Sequence, residues 1–135
     1  MSVAGWQCLD NGSQMKSILV ADDNAANREL ICAILEREGY ELIEARDGAE
    51  ALRHLQSRHP DLMLLDIHMP VLNGFAVVEK VREDPKFAKL PIVALTASAM
   101  IGDEEEALKR GFTAFVAKPY SIHDVTNLVE KLLGE

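Results

Sequence analysis

Apolar residues fall along this chain in two alternating rhythms, short unbroken runs and sparser stripes at helical spacing. The unbroken runs are Ile18-Leu19-Val20-Ala21, Leu62-Met63-Leu64-Leu65, Ile92-Val93-Ala94-Leu95 and Ala114-Phe115-Val116-Ala117. Continuous runs of this kind mark strands covered on both faces, the habit of a parallel sheet. Tyr40 to Ala45 alternates only in part, with Glu41 and Glu44 interrupting, as an edge strand would. Between the runs the period becomes helical: Leu30, Ile31, Ile34 and Leu35; Ala51, Leu52 and Leu55; Phe75, Val78 and Val81. The last stripe is the clearest, running Ile122, Val125, Leu128, Val129, Leu132 and Leu133 after Ser121 as cap. Gly102 to Arg110 is also helical but offers only Ala107 and Leu108 against Asp103, Glu104, Glu105 and Glu106, which predicts weak docking.

Punctuation agrees with the periods. Asn24 or Asp23 is placed to cap the first helix, and Gly39 to stop it in a left-handed conformation. Asp47-Gly48, Asn73-Gly74, Asp84-Pro85, Leu90-Pro91 and Gly111 supply the other turns. Strands alternating with helices through short loops predict a doubly wound α/β domain. The expected architecture is a flavodoxin-like five-stranded parallel sheet of order 2-1-3-4-5 with five helices. It spans 16–135, with 1–15 as a turn-rich N-terminal extension that Trp6 could tether.

Composition then narrows the function classes. With 135 residues, 48% of them hydrophobic, the chain suits one domain with a substantial core. A formal charge of −8 argues against a DNA-binding surface, which needs a basic stripe. Cys8 and Cys32 lack metal-ligand spacing, and no stretch resembles a signal peptide or a membrane span. The expected location is the cytoplasm.

The four apolar runs end on polar residues of distinct chemistry: Asp22-Asp23, Asp66, Thr96 and Lys118. In a parallel sheet these ends share one edge, where open α/β sheets place ligands. Two or three carboxylates there suit Mg²⁺, which takes hard oxygen ligands and shares them with phosphates. Asp66 can attack phosphorus as a nucleophile, Thr96 can donate a hydroxyl proton, and Lys118 brings a point charge. Taken singly, each of these residues is as easily a turn or cap residue; their joint placement carries the reading.

The combination of Asp22-Asp23, Asp66 with Met69-Pro70 and Gly74, Ala94-Leu95-Thr96-Ala97, and Lys118-Pro119 resembles the receiver domain of bacterial response regulators. The resemblance covers Lys16 to about Leu133. It implies Asp66 as phosphoacceptor, with Asp22, Asp23 and the backbone carbonyl of His68 around Mg²⁺ and Asp23 as a direct ligand. It implies Thr96 and Lys118 on the phosphoryl group, and a cis peptide between Lys118 and Pro119. It implies a switch pairing Thr96 with Phe115, for which the alternative is Phe115 as core in both states. Partners implied are a histidine kinase or histidine phosphotransfer protein, docked on the first helix near Ala25, Ala26 and Leu30, and a downstream protein target. The oligomeric expectation is a monomer or a phosphorylation-dependent dimer. The reading is a single-domain phosphoacceptor rather than a multiple-turnover enzyme. Two other classes stay open at this point. An aspartyl-nucleophile phosphatase commonly has a second Asp two positions on, where this chain has His68. A binding module that never carries phosphate would not need the intact set.

Overall fold

A computed structural model of the chain describes residues 16–67, 69, 73–96, 103–117 and 121–133; of Thr96, Asp103 and Ile122 it describes the main chain alone. Five strands alternate with five α-helices: β1 (Ser17–Ala21), α1 (Ala25–Arg37), β2 (Glu41–Ala45), α2 (Gly48–Arg58), β3 (Leu62–Asp66), α3 (Gly74–Glu83), β4 (Ile92–Thr96), α4 (Asp103–Arg110), β5 (Ala114–Ala117) and α5 (Ile122–Leu132). A 3₁₀ turn, Pro85–Phe87, follows α3 and was not signalled by the pattern. All pairings are parallel. The order is β2-β1-β3-β4-β5, as expected.

The unbroken apolar runs have a direct explanation. Successive strand side chains point to opposite faces, and both faces here are covered. Leu19 and Ala21 of β1 join Met63 and Leu65 of β3 in one core with Ala51, Leu55, Val77 and Val81 of α2 and α3. Ile18 and Val20 join Leu62 and Leu64 in a second core with Ile31, Leu35, Val125 and Val129 of α1 and α5. No face of β3 is left for a polar side chain until Asp66, where the strand ends.

Of the two cap candidates for α1 it is Asn24 that serves, and Asp47 and Asn73, read as turn residues, cap α2 and α3. The Asn24, Asp47 and Asn73 side chains accept from the backbone N–H of Asn27, Glu50 and Ala76. Ser121 and Asp124 form a reciprocal capping box on α5. Gly39 has φ +100°, the left-handed stop expected of it. An unexpected left-handed residue is His59, φ 50°, which caps α2 and stacks on Phe87.

Two helices differ from the pattern. The buried face of α1 is Arg28, Ile31, Cys32 and Leu35, so Leu30, one residue and about 100° away, is 55% exposed. Helix α4 buries Ala107 but leaves Leu108 exposed. Polar contacts also tie it to α3: the Arg110 guanidinium bonds Glu79 at 3.1 Å and lies 4.7 Å from the centre of the Phe75 ring. Arg82 of α3 donates to the carbonyl of Gly111, just beyond α4, at 2.9 Å.

Among the described residues, no helix is long and apolar enough to cross a membrane. Burial, reinforced by Glu44, pushes the Cys32 thiol up to about 12. A thiol that stays protonated is a poor nucleophile. In a Cys8→Ser background, native protein at pH 8 is expected to resist alkylation for hours and to react fully in denaturant. Rapid native modification, read by mass, would contradict this packing.

Candidate functional site

Strand order decides where the carboxylates meet. The chain leaves β1 for β2 on one side and returns to β3 on the other, so β1 and β3 flank the point where the winding reverses. Ligands of open α/β sheets lie at that point, beyond the carboxyl ends of the strands. Ala21 of β1 is in register with Leu65 of β3, which brings the next residues, Asp22 and Asp66, to the same level. Carboxylate oxygens from Asp22, Asp23 and Asp66 all lie within 4.8 Å of one another. Asp22 is fully buried, Asp66 is 5% exposed and Asp23 is open to solvent.

Hydrogen bonds fix the loops that carry these acids. Asp22 N–H donates to the Ala45 carbonyl of β2 at 3.1 Å, and Asn24 N–H donates to Asp22 Oδ1 at 2.9 Å. Arg28 Nη1 donates to the Asp22 carbonyl at 2.8 Å. After Asp66, Ile67 N–H donates to the Leu95 carbonyl of β4 at 3.0 Å, and Gly74 N–H donates to the Ile67 carbonyl at 2.8 Å. The first turn of α3 is therefore bolted to the peptide beside Asp66.

Three carboxylates this close repel by about a few kcal/mol per pair at an effective dielectric of ~20. Two of the three are buried, where electrostatic interactions are stronger than in water. A hard divalent cation is the natural counter-charge, because every donor is oxygen and the outermost carboxylate faces solvent, leaving room for bound water. The residues fit Mg²⁺.

Of the other expected site residues, Thr96 is the last residue of β4, its backbone in register with Ala117 of β5. Phe115 is half-buried and packs against the core on the α2–α3–α4 face. The Thr96 side chain, His68, Lys118 and Pro119, and with them the cis-peptide expectation, lie outside the described residues, as do Trp6 and the rest of 1–15. The residue that sequence reasoning missed is Arg28. Its signal was present: position 28 shares the face of Ile31, Cys32 and Leu35, where an arginine should not sit without partners.

Comparison with known proteins agrees with this geometry. The family model for the response regulator receiver domain matches residues 18–130. The polar-differentiation response regulator DivK of Brucella ovis is 37% identical over 120 residues, covering 89% of this chain and 98% of that protein. Among solved structures, the chemotaxis response regulator CheY4 of Vibrio cholerae superposes with a TM-score of 0.83 at 29% identity, covering 88% of this chain and 99% of that one. The receiver domain of a sensor histidine kinase from Pseudomonas aeruginosa, solved with a magnesium ion in its active-site cleft, gives 0.82 at 31% identity, covering 90% of this chain and all of that one. Three acids gathered at the winding reversal of a β2-β1-β3-β4-β5 sheet, and a family match over nearly every described element, lead to one conclusion: the chain belongs to the response regulator receiver domain family and is a receiver of two-component signalling.

Proposed function

We propose that residues 16–135 form a phosphoacceptor switch in which Asp66 takes a phosphoryl group from a phosphohistidine donor, with 1–15 as an extension. The observation that carries this reading is the convergence of Asp22, Asp23 and Asp66 at the carboxyl edge of the sheet. An Asp66 carboxylate oxygen attacks phosphorus, an O–P bond forms, and the donor's P–N bond breaks with its electron pair leaving on the imidazole. The product is an acyl phosphate.

Asp22, Asp23 and Asp66, with the backbone carbonyl of His68, would hold Mg²⁺. When bound, the cation supplies positive charge against carboxylate and phosphoryl oxygens. Burial of Asp66 restricts water around the nucleophile. Thr96 and Lys118 donate hydrogen bonds to the phosphoryl group, and Phe115 exchanges position with the Thr96 hydroxyl as the switch. The protein consumes one donor per cycle and is not a multiple-turnover enzyme.

Partner surfaces follow. Ala25, Ala26 and Leu30 are exposed together on α1 beside the acidic site. This patch suits docking of a helical kinase or phosphotransfer domain that must bring a histidine to Asp66. Signal leaves through protein contacts on the α4–β5–α5 face toward a downstream target, in the cytoplasm, from a monomer or a phosphorylation-dependent dimer, and DNA is not the target.

The test is intact mass after incubation with acetyl phosphate. One phosphoryl addition is expected with Mg²⁺ and none with excess chelator. Absence of any addition, from acetyl phosphate and from a phosphohistidine protein alike, would overturn the reading.

A further inference from the structure

Among the described residues, Arg28 is the one buried cation, 9% exposed on the inner face of α1. It is held by two acceptors of different kinds. Its Nε bonds Glu44 Oε1 of β2 at 3.0 Å, and its Nη1 bonds the main-chain carbonyl of Asp22 at 2.8 Å. The planar guanidinium fork holds both donors at a fixed spacing, which the compact ammonium of a lysine does not reproduce. Glu44 is half exposed and anchors the fork from the edge strand.

We propose that Arg28 is a positioning residue for the divalent-cation site, acting through the Asp22–Asp23 peptide. This rests on the assignment of Asp22, Asp23 and Asp66 to Mg²⁺. The peptide unit is planar, so pinning the Asp22 carbonyl oxygen also fixes the direction in which Asp23 leaves. The Asp22 N–H is already pinned to Ala45 of β2 and its Oδ1 to the Asn24 N–H. Arg28 completes the clamp on the link between one buried and one exposed carboxylate. Without it, Asp23 has a solvent-facing side chain on a loop free to turn away from Asp66.

Charge and positioning predict opposite signs, which makes the proposal testable. A cation beside a cation site repels the metal, so a purely electrostatic Arg28 predicts tighter Mg²⁺ binding in Arg28→Met and no change in Arg28→Lys. Positioning predicts weaker binding in both, about tenfold or more in Arg28→Met and less in Arg28→Lys, as for other residues that orient metal ligands. The experiment is Mg²⁺ titration by calorimetry at fixed ionic strength on the unphosphorylated full chain. Amide spectra of the metal-free proteins accompany it, with the Asp23 and Asn24 signals expected to shift in both variants. A residue that merely supported the fold would lower the unfolding midpoint and leave the dissociation constant of folded protein unchanged, and that result overturns the proposal. If Arg28→Met does not fold, Arg28→Lys decides alone: weaker binding supports positioning, and equal binding removes it. A native chain that binds no Mg²⁺ overturns the functional reading and the clamp together. Native binding with matching variants removes the clamp alone.

Discussion

Replacing Asp66 by Asn is expected to abolish the proposed Mg²⁺-dependent phosphoryl uptake and, in the absence of divalent cations, to raise the stability of the domain. The amide nitrogen and neutral oxygen of Asn are poor nucleophiles toward phosphorus, so loss of the mass increment should be complete. The stability gain follows from the geometry of the three acids, whose carboxylate oxygens lie within 4.8 Å of one another. Their mutual repulsion is largely absent in the unfolded chain, where water and distance screen it. Removing one charge relieves two of the three pairs. After the loss of Asp66's own polar contacts, a net gain on the order of 1 kcal/mol, a few degrees in Tm, is expected. Mg²⁺ should reverse the ranking. At a hundredfold excess over its dissociation constant, a ligand of the native state adds about 2.7 kcal/mol, and the mutant, short of one carboxylate, forfeits much of that. Thermal melts of both proteins with Mg²⁺ and with chelator test this crossing of stabilities. Persistent phosphoryl addition to the Asn variant would place the acceptor elsewhere.

Gly74→Ala is expected to destabilise the protein by about 1–3 kcal/mol and to weaken Mg²⁺ binding. Helix propensity alone predicts the reverse, since Ala is favoured over Gly within a helix by about 1 kcal/mol. Contact geometry outweighs it. A Cβ at Gly74 would lie 2.7 Å from the Ile67 Cα and 2.9 Å from the Asp66 carbonyl oxygen. Both are main-chain atoms, which cannot swing aside as a flexible side chain does. The Gly74 N–H is also bonded to the Ile67 carbonyl, so α3 cannot retreat without breaking that bond. Relief must come from moving the peptide that carries Asp66, which couples the fold defect to the site. Gly39→Ala is the comparison: nothing lies within 4 Å of its Cβ, and only φ +100° opposes it. Its cost should be about 1 kcal/mol, with Mg²⁺ affinity intact. Urea unfolding and Mg²⁺ titration on the two variants separate a backbone clash from a conformational penalty. A Gly74→Ala protein as stable as the native chain would refute the close approach.

Much of the molecule was legible in the sequence because the relevant signals are local. Buried parallel strands announce themselves as unbroken apolar runs, and helices by period, so the fold class and the element order followed from Ile18–Ala21, Leu62–Leu65 and their counterparts. Caps were legible for the same reason: Asn24, one of two candidates, and Ser121 act on N–H groups within three residues. The candidate chemistry was readable too, since it sits at strand ends and strand ends are marked by a change from apolar to polar.

Tertiary structure decided what depends on distance across the sheet. Sequence places Asp22, Asp23 and Asp66 at strand ends, but only the β1–β3 pairing and its register bring their carboxylates together. Periodicity marks a helical face without saying how wide an arc its neighbours cover. Leu30, which the stripe counts as core and the resemblance places in a docking patch, stands exposed, while Arg28, on the same face as Ile31 and Leu35, is buried between two acceptors that no local pattern names. The thin apolar stripe of α4 was visible, but its anchorage to α3 through Arg110 and Arg82 joins residues about thirty apart and has no local trace. Gly74 was visible as turn chemistry, and its actual constraint, the main chain of Asp66 and Ile67 against its missing side chain, exists only once α3 is packed on the end of β3. Short-range preferences choose the elements, whereas long-range packing sets depth, contact and charge environment, and this site is built from the latter.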